Sequence, residues 1–122
     1  MELNKLKSIM KKYGEAWEKQ DPDLLLKIFD KDGTYQVTPF EKPIEGHSAI
    51  KKYWIKNPQK DQKNIKFKLG RCAVYNGSGY AEWISKFDQI SSSKSIELRG
   101  IIIITLKNNK IISLREYWHA TK

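Results

Sequence analysis

The stretch Ile112-Ser113-Leu114-Arg115-Glu116-Tyr117-Trp118-His119, near the carboxyl end, decides how this chain is interpreted. Side chains of a strand alternate between two faces. One face of this strand therefore carries Ile112, Leu114, Glu116 and Trp118. If that face lines the interior, the carboxylate of Glu116 lies there among apolar side chains. Burying a charged carboxylate costs free energy unless it has a partner, and burial usually shifts its pKa. Glu116 is therefore the strongest single candidate for a functional residue.

The same two-residue period runs back through residues 65–106. Polar turn segments at residues 76–79, 91–94 and 107–110 divide this region, and the Asn-Gly pair in the first is a strong hairpin signal. The inward faces of the three strands carry Ile65, Phe67 and Leu69, then Ala81, Trp83, Ser85 and Phe87, then Ile96, Leu98, Gly100, Ile102, Ile104 and Leu106. With the last strand, these segments predict a meander of four antiparallel strands.

Helical patterns occupy the first half of the chain. Apolar residues recur every three or four positions from Leu3 to Trp17, which predicts an amphipathic helix over about residues 2–19. Asp21-Pro22 starts a second, short helix, and a strand over residues 34–37 follows. A third helix opens at Gly46 and ends at Asn57-Pro58. The predicted fold class is α+β, with three helices packed on one face of the sheet.

Composition is that of one globular domain of 122 residues, 39% hydrophobic and 30% charged. The single cysteine, Cys72, allows no internal disulfide and favours a reducing compartment. Residues 1–5 lack the apolar run of a signal peptide, and the aliphatic run at residues 101–104 is too short to cross a membrane. We therefore expect a soluble cytoplasmic protein without a membrane partner.

The net charge of +9 is concentrated in residues 51–71, where eight basic residues face only one acid, Asp61. Such a patch could attract phosphate backbones. However, sites that read base sequence favour arginine. Seven of the eight basic residues in this segment are lysines, and Arg71 is the exception. A solvated lysine-rich surface is the preferred interpretation, and non-specific nucleic-acid binding is kept as a weaker alternative.

The strand around residues 101–104 is apolar on both faces, whereas a strand with one wet face would alternate. Large exposed apolar patches usually mark interfaces, and two-fold dimers are the commonest assemblies. We therefore predict a homodimer formed through the sheet face. The alternative is a central strand covered by loops of its own chain.

Several segments together carry a family resemblance: Tyr13–Trp17, Asp21, Leu25, Ile28-Phe29, Asp32–Tyr35, Pro39-Phe40, Gly46–Ile50, Tyr53-Trp54 and Ile111–Trp118. Over nearly its whole length, the chain resembles the superfamily named for nuclear transport factor 2, which includes ketosteroid isomerases and SnoaL-like polyketide cyclases. The resemblance implies a cystatin-like cone, in which a curved antiparallel sheet wraps a long first helix and leaves a pocket at its open end. It implies a pocket lined by Tyr13, Trp17, Tyr35, Val37, Phe40, Trp54, Trp83, Ser85, Leu98, Gly100, Ile102, Glu116 and Trp118.

Departures from the resembled families exclude two activities. Ketosteroid isomerases combine a carboxylate base with an oxyanion hole made of a tyrosine and a protonated aspartate. Tyr13 matches that tyrosine, but Val37 or Thr38 stands at the base position and Ile102 at the aspartate position. Epoxide hydrolases of this fold use an Asp-Arg-Asp set, and Arg99 has no adjacent acid here. The SnoaL-like cyclases need an acid or histidine base in the pocket, a role that Glu116 could fill.

Each candidate residue has a structural alternative. Glu116 is either a general base tuned by burial or a structural acid that accepts hydrogen bonds from Tyr13 or a tryptophan N–H. Tyr13 is either a donor to a ligand oxygen or a core residue on a helical stripe. The tryptophans form either an aromatic box or simple core filling: Trp17, Trp54, Trp83 and Trp118.

The remaining reactive residues give no catalytic set. His47 is expected at a helix start in a capping role, and His119 is expected to face outward, so neither supports a metal site. Cys72 is expected to be an inert thiol.

Two function classes follow from the sequence. The first is a small-molecule-binding protein or a cofactor-independent isomerase, cyclase, dehydratase or hydrolase that takes a flat apolar ligand, with Glu116 as base and Tyr13 as donor. The second is a non-catalytic dimeric module with a closed pocket. Packing of Trp54 directly against Trp118 would favour the second class.

Overall fold

The computed structural model describes residues 1–121 and has the predicted α+β class. Its helices are α1 (Leu3–Glu18), α2 (Pro22–Leu26) and α3 (Gly46–Trp54), the last continuing into a π-helical turn, Ile55–Gln59. Its strands are β1 (Phe29–Gln36), β2 (Ile44–Glu45), β3 (Gln62–Tyr75), β4 (Ser78–Gln89), β5 (Lys94–Lys107) and β6 (Lys110–Ala120).

All six strands form one sheet, in the order β2-β1-β6-β5-β4-β3. Strands β3 to β6 pair antiparallel in sequence order, which confirms the predicted meander. Strand β1 lies parallel to β6, with Tyr35 opposite Leu114. This parallel pairing, which the sequence patterns did not predict, brings β1 alongside the strand that carries Glu116.

The curved sheet wraps α1, whose predicted apolar stripe is buried from Leu6 to Trp17, while Leu3 at the helix start remains 41% exposed. The predicted inward residues of β4 and β5 form the facing wall: Ala81, Trp83, Ser85, Phe87, Leu98, Ile102 and Ile104 are all buried. Burying these faces against each other supplies most of the apolar stabilisation of the fold.

Two of the predicted turns are tight two-residue hairpin loops. Asn76 and Gly77 have φ values of 51° and 80°, and Asn108 and Asn109 have φ values of 51° and 64°. Asparagine and glycine tolerate these left-handed conformations, which match the twist of the flanking strands.

Several boundaries differ from the sequence-based expectations. Strand β1 begins at Phe29 rather than at residue 34 and ends before Val37, and the two-residue β2 was not predicted. Helix α3 gives way to the π-helical turn just before Pro58, because proline has no N–H to donate and its ring clashes with the carbonyl four residues earlier.

The outer face of the sheet carries the predicted apolar patch. Ile101 and Tyr117 are direct cross-strand partners and are 42% and 38% exposed. The homodimer that would cover them stays a prediction.

The basic residues at positions 51–71 are distributed over α3, the π-helical turn and β3. Lys51 pairs with Asp23 at 2.9 Å, and Arg71 pairs with Glu82 at 2.6 Å. Strand β3 is an edge of the sheet, where lysines discourage edge-to-edge pairing with other chains. This gives the lysines of β3 a structural role, and nucleic-acid binding stays the weaker prediction. Within residues 1–121, none of the helices combines the length and apolar character needed to cross a membrane.

Candidate functional site

Glu116 lies in the middle of β6, where it is 6% exposed and pairs across the sheet with Ile102 of β5. Two tyrosines from other elements reach it. The hydroxyl of Tyr13, from α1, donates to Oε1 of Glu116 at 2.6 Å. The hydroxyl of Tyr35, from β1, donates to the same oxygen at 2.6 Å. A helix and two strands therefore converge on one carboxylate oxygen.

The two oxygens of this carboxylate differ in their surroundings. The tyrosine hydroxyl oxygens are 3.3 Å apart, and each commits its only proton to Oε1 of Glu116. Neither tyrosine donates to Oε2, and the indole of Trp118, two residues further along β6, is the other donor that lowers the pKa of this carboxyl group. Oε2 can therefore accept a hydrogen bond from a bound molecule when the carboxylate is ionised, or donate one when it is protonated.

Burial raises the pKa of Glu116 above its ordinary value of 4.5, and interactions with Tyr13, Tyr35 and the side chain of Trp118 partly oppose that rise. Burial and the nearby carboxylate raise the pKa values of Tyr13 and Tyr35 well above 10. Burial likewise raises the pKa of the neighbouring Tyr53 to about 12. The tyrosines are therefore neutral donors across the physiological range, and Glu116 is the group whose charge can change.

A cavity of about 210 Å³ opens beside this cluster. Its walls are predominantly aromatic and aliphatic, with three amide side chains and one carboxylate. The lining residues are Tyr13, Trp17, Tyr35, Val37, Tyr53, Trp54, Asn57, Pro58, Gln62, Phe87, Gln89, Ile96, Leu98, Glu116, Trp118 and Ala120. The site thus combines a small aromatic chamber with a single buried acid.

A model of the SnoaL-like domain matches residues 10–114. The chain belongs to the SnoaL-like family. No curated protein sequence matches it significantly.

Solved structures share the fold at low sequence identity. The enzyme SalBIII, described as epoxide hydrolase/cyclase-like with a role in pyran ring formation in salinomycin, matches with a TM-score of 0.81 and 19% identity over 95% of this chain and 92% of that one. A ketosteroid isomerase-like protein from Catenulispora acidiphila, in complex with trimethylamine, matches with a TM-score of 0.78 and 16% identity over 89% and 83% of the two chains. A protein of unknown function from Burkholderia xenovorans, similar to nuclear transport factor 2, matches with a TM-score of 0.72 and 16% identity over 94% and 83%. These likenesses establish the cone fold of this SnoaL-like domain.

Most of the residues proposed from the sequence for the pocket do meet at the cavity. Those that line it are Tyr13, Trp17, Tyr35, Val37, Trp54, Leu98, Glu116 and Trp118. Trp118 is 38% exposed and therefore lies at the rim, whereas Trp54 is 1% exposed and lies deep.

Five of the proposed residues lie elsewhere. Phe40 is 93% exposed, because the turn after Pro39 directs it to solvent. Trp83 stacks on Phe67 and meets Trp17 edge-on, so it belongs to the packed core. The others also lie outside the cavity: Ser85 and Ile102 are fully buried in the core, and Gly100 borders a groove on the outer face of the sheet.

Sequence reasoning missed about half of the lining. Phe87 and Ile96 lie on the inward faces that the alternation identifies, and Tyr53 lies on the apolar face of α3. The sequence pattern therefore indicates that these three side chains face the interior. No sequence pattern places Asn57 or Gln62 at the cavity. Asn57 lies in the π-helical turn, and Gln62 lies at the start of β3, which the alternation does not predict. They bring amide groups to the cavity wall.

The predicted role of Tyr13 as a donor to a ligand oxygen does not fit this arrangement. Its proton is engaged with Glu116, so Tyr13 positions the carboxylate instead. Trp54 and Trp118 make no ring contact with each other within the described chain, so they do not close the cavity. The indole N–H of Trp54 is buried and has no partner among residues 1–121.

His47, His119 and Cys72 do not line the cavity. Nε2 of His47 donates to the backbone carbonyl of Phe29 at 2.9 Å, which ties α3 to β1 rather than capping the helix as predicted. His119 is exposed, as expected. Burial raises the pKa of the Cys72 thiol, which makes it less reactive. Residues 1–121 contain no group of three histidine, cysteine or acidic side chains placed to hold a metal ion.

Proposed function

We propose that this SnoaL-like domain binds a small organic molecule in the cavity beside Glu116, with a polar group of that molecule against Oε2. The observation that carries the proposal is the unequal satisfaction of the carboxylate. Oε1 receives a hydrogen bond from each of two tyrosines, while Oε2 receives none from them, although the side chain is buried and lines a cavity. Buried polar atoms are nearly always satisfied. The indole N–H of Trp54, which lines the same cavity, is buried without a partner among residues 1–121, so a polar group of a bound molecule would complement it together with Oε2.

The size of the cavity limits the ligand. Sites for drug-sized molecules enclose roughly 300–1,000 Å³, whereas this one holds about 210 Å³. A flat apolar ligand of this size is a single ring or a short branched chain. Trimethylamine, which accompanies the Catenulispora protein of the same fold, is a molecule of this small class.

Proton-transfer catalysis is the second candidate, and the raised pKa of Glu116 favours it. A carboxylate whose pKa approaches the working pH is an efficient acid–base group. Tyr13 and Tyr35 would hold Oε1 in place while Oε2 exchanged a proton with the substrate. The cyclase-like description of SalBIII supports a reaction of the isomerase, cyclase, dehydratase or hydrolase type without a cofactor. A closed non-catalytic module is disfavoured, because the cavity is open and Trp54 does not pack on Trp118.

Crystals soaked with small probes test the binding proposal. The probes are cyclohexanone, benzyl alcohol and N-methylacetamide, each in a separate crystal. We expect density for at least one probe in the cavity, with an oxygen or nitrogen atom within hydrogen-bond distance of Oε2 of Glu116. A cavity that admits none of the three while its walls stay unchanged would contradict the proposal.

Hydrogen–deuterium exchange tests the catalytic candidate without knowledge of the natural substrate. In deuterated buffer, the Glu116 carboxylate would take an α-proton from cyclohexanone to give the enolate, and a deuteron would then return to the carbon. We expect the wild-type protein to accelerate loss of the α-proton NMR signal and Glu116→Gln to remove the acceleration. Glu45→Gln, at an exposed position, is the matched control. Equal exchange rates for all three proteins would remove the catalytic candidate and leave the binding proposal standing.

A further inference from the structure

Among the described residues, the ionisable charge that lines the cavity is negative only. Glu116 is the only carboxylate among the lining residues, and no lysine, arginine or histidine lines the cavity within residues 1–121. This absence is notable in a chain of net charge +9. A buried carboxylate normally has a cationic partner or gives up its charge. Here the lining residues within 1–121 supply neutral donors, two tyrosines and the indole of Trp118, and no cation.

The aromatic rings of the cavity walls are arranged at several different angles to one another. The ring of Tyr13 meets the rings of Trp17 and Trp54 at interplanar angles of 74° and 76°. Tyr35 and Tyr53 form a further pair, with ring centroids 5.6 Å apart. Aromatic rings in several orientations therefore surround the space next to the acid. Ring faces attract ammonium groups through their quadrupoles, and boxes of such rings bind methylated ammonium ions.

We propose that the ligand class of this cavity is a small organic cation, a protonated or methylated amine, whose ammonium group lies against Oε2 of Glu116 and whose alkyl groups contact the surrounding rings. The inference rests on the proposed binding function and specifies its ligand. It explains the carboxylate and the aromatic walls together, whereas a neutral apolar ligand explains only the walls. A bare metal ion fits less well, because the neighbouring rings supply no metal ligands.

The carboxylate must be ionised to bind such a cation. Burial raises the pKa of Glu116, so the carboxyl group keeps its proton to a higher pH than an exposed glutamate does, and a cation competes with that proton. The titratable groups facing Glu116 are Tyr13 from α1, Tyr35 from β1 and Tyr53 from α3, and all have raised pKa values. Ile102 faces it from β5. Affinity for a permanent cation should therefore rise with pH above the ordinary glutamate value of 4.5, with release of a proton.

A matched pair of probes tests the proposal by isothermal titration calorimetry. Choline and 3,3-dimethylbutan-1-ol have the same shape, but a carbon atom replaces the charged nitrogen in the second. We expect the wild-type protein to bind choline at least tenfold more tightly than the alcohol, and the affinity for choline to increase from pH 5 to pH 8. In Glu116→Gln the preference for choline should disappear, while Glu45→Gln should retain it.

The outcomes separate this inference from the proposed function. If the alcohol binds as tightly as choline or more tightly, the cavity binds neutral molecules, so the proposed function stands and the cation is wrong. If choline gives no binding at any of these pH values, the cation is likewise wrong. A choline preference that survives in Glu116→Gln would also overturn the inference, because the attraction would then come from the surface. Near-ultraviolet circular dichroism confirms that each variant is folded.

Discussion

Tyr35 and Glu116 lie 81 positions apart in the chain, yet the hydroxyl of Tyr35 is 2.6 Å from Oε1 of Glu116. The parallel pairing of β1 with β6 makes this contact possible, because it sets Tyr35 opposite Leu114, two residues before the glutamate. Tyr13 adds a second hydrogen bond of 2.6 Å to the same oxygen from α1. The two tyrosines fix the carboxylate between the sheet and the central helix, and both donate to Oε1 rather than to Oε2.

Removing the Tyr35 hydroxyl should raise the pKa of Glu116 further, because the hydrogen bond from Tyr35 lowers that pKa. A hydrogen bond to a charged group contributes about 1.5–3 kcal/mol, so we expect Tyr35→Phe to destabilise the protein by an amount of this order above the titration of Glu116. Carbon-13 NMR of the Glu116 carboxyl, followed against pH, measures the shift. Tyr53→Phe is the control, since Tyr53 lines the cavity without hydrogen bonding to Glu116. An unchanged titration in Tyr35→Phe would mean that this contact is absent in solution.

Stability should depend on pH through Glu116. Its pKa in the folded protein is raised above the ordinary 4.5, so the folded state binds more protons than the unfolded state as pH rises from 4.5 toward the folded pKa. The stability that protonated Glu116 contributes to the folded state is therefore complete below pH 4.5 and is lost as pH increases. The loss is about 1.4 kcal/mol for each unit by which folding raises the pKa of Glu116. Relative to wild type, Glu116→Gln should thus become more stable between pH 4 and pH 8, which means that its free energy of unfolding increases relative to that of wild type. Urea unfolding at both pH values measures the difference, and a relative stability that does not change would exclude the raised pKa.

The close approach of β5 and β6 at Gly100 should tolerate no side chain. A Cβ atom at Gly100 would lie 2.7 Å from Cβ of Trp118 and closer still to the backbone carbonyl oxygen of Tyr117. Overpacking of this kind typically costs about 1–3 kcal/mol. We expect Gly100→Ala to lower the free energy of unfolding by an amount in or above this range. We also expect the added methyl group to displace Trp118 from the cavity rim. In Gly70→Ala the nearest atom is 3.1 Å away, and the loss should be smaller. Equal losses in the two variants would contradict the argument.

The predicted homodimer can be tested at the outer face. Ile101 and Tyr117 form an exposed apolar pair there, and a lysine at position 101 would place a charge in the interface. Sedimentation equilibrium should show a dimer for the wild-type protein and a monomer for Ile101→Lys. Phe40→Lys, at an exposed position outside the sheet, should remain dimeric. A monomeric wild-type protein at all concentrations would disprove the dimer.

Local patterns predicted much of this structure. The alternation in β4 and β5 identified the inward faces, and the spacing along α1 identified Tyr13 and Trp17 as buried. The alternation in β6 likewise identified Glu116 as an interior acid before its partners were known. These predictions succeeded because each depends on the period of a single strand or helix.

Features that depend on how distant segments meet were not predictable in this way. The parallel β1–β6 pairing has no local signal, so the hydrogen bond from Tyr35 to Glu116 could not be foreseen. The family resemblance implies a pocket position for Phe40, but the turn that contains Pro39 and Phe40 exposes this side chain. Asn57 lines the cavity from the π-helical turn Ile55–Gln59, where the sequence pattern predicts the end of an ordinary α-helix.

The central claim is that the cavity beside Glu116 admits a small organic molecule. The four tryptophans provide the most direct measurement, since Trp17, Trp54 and Trp118 line the cavity and Trp83 lies in the core outside it. Their indole N–H signals can be followed in proton–nitrogen correlation spectra during titration with choline and with cyclohexanone. We predict saturable shifts of the indole signals of Trp17, Trp54 and Trp118 with at least one probe and a much smaller shift of the Trp83 signal. If all four signals stay in place with both probes, or if all four move equally, the cavity is not a binding site.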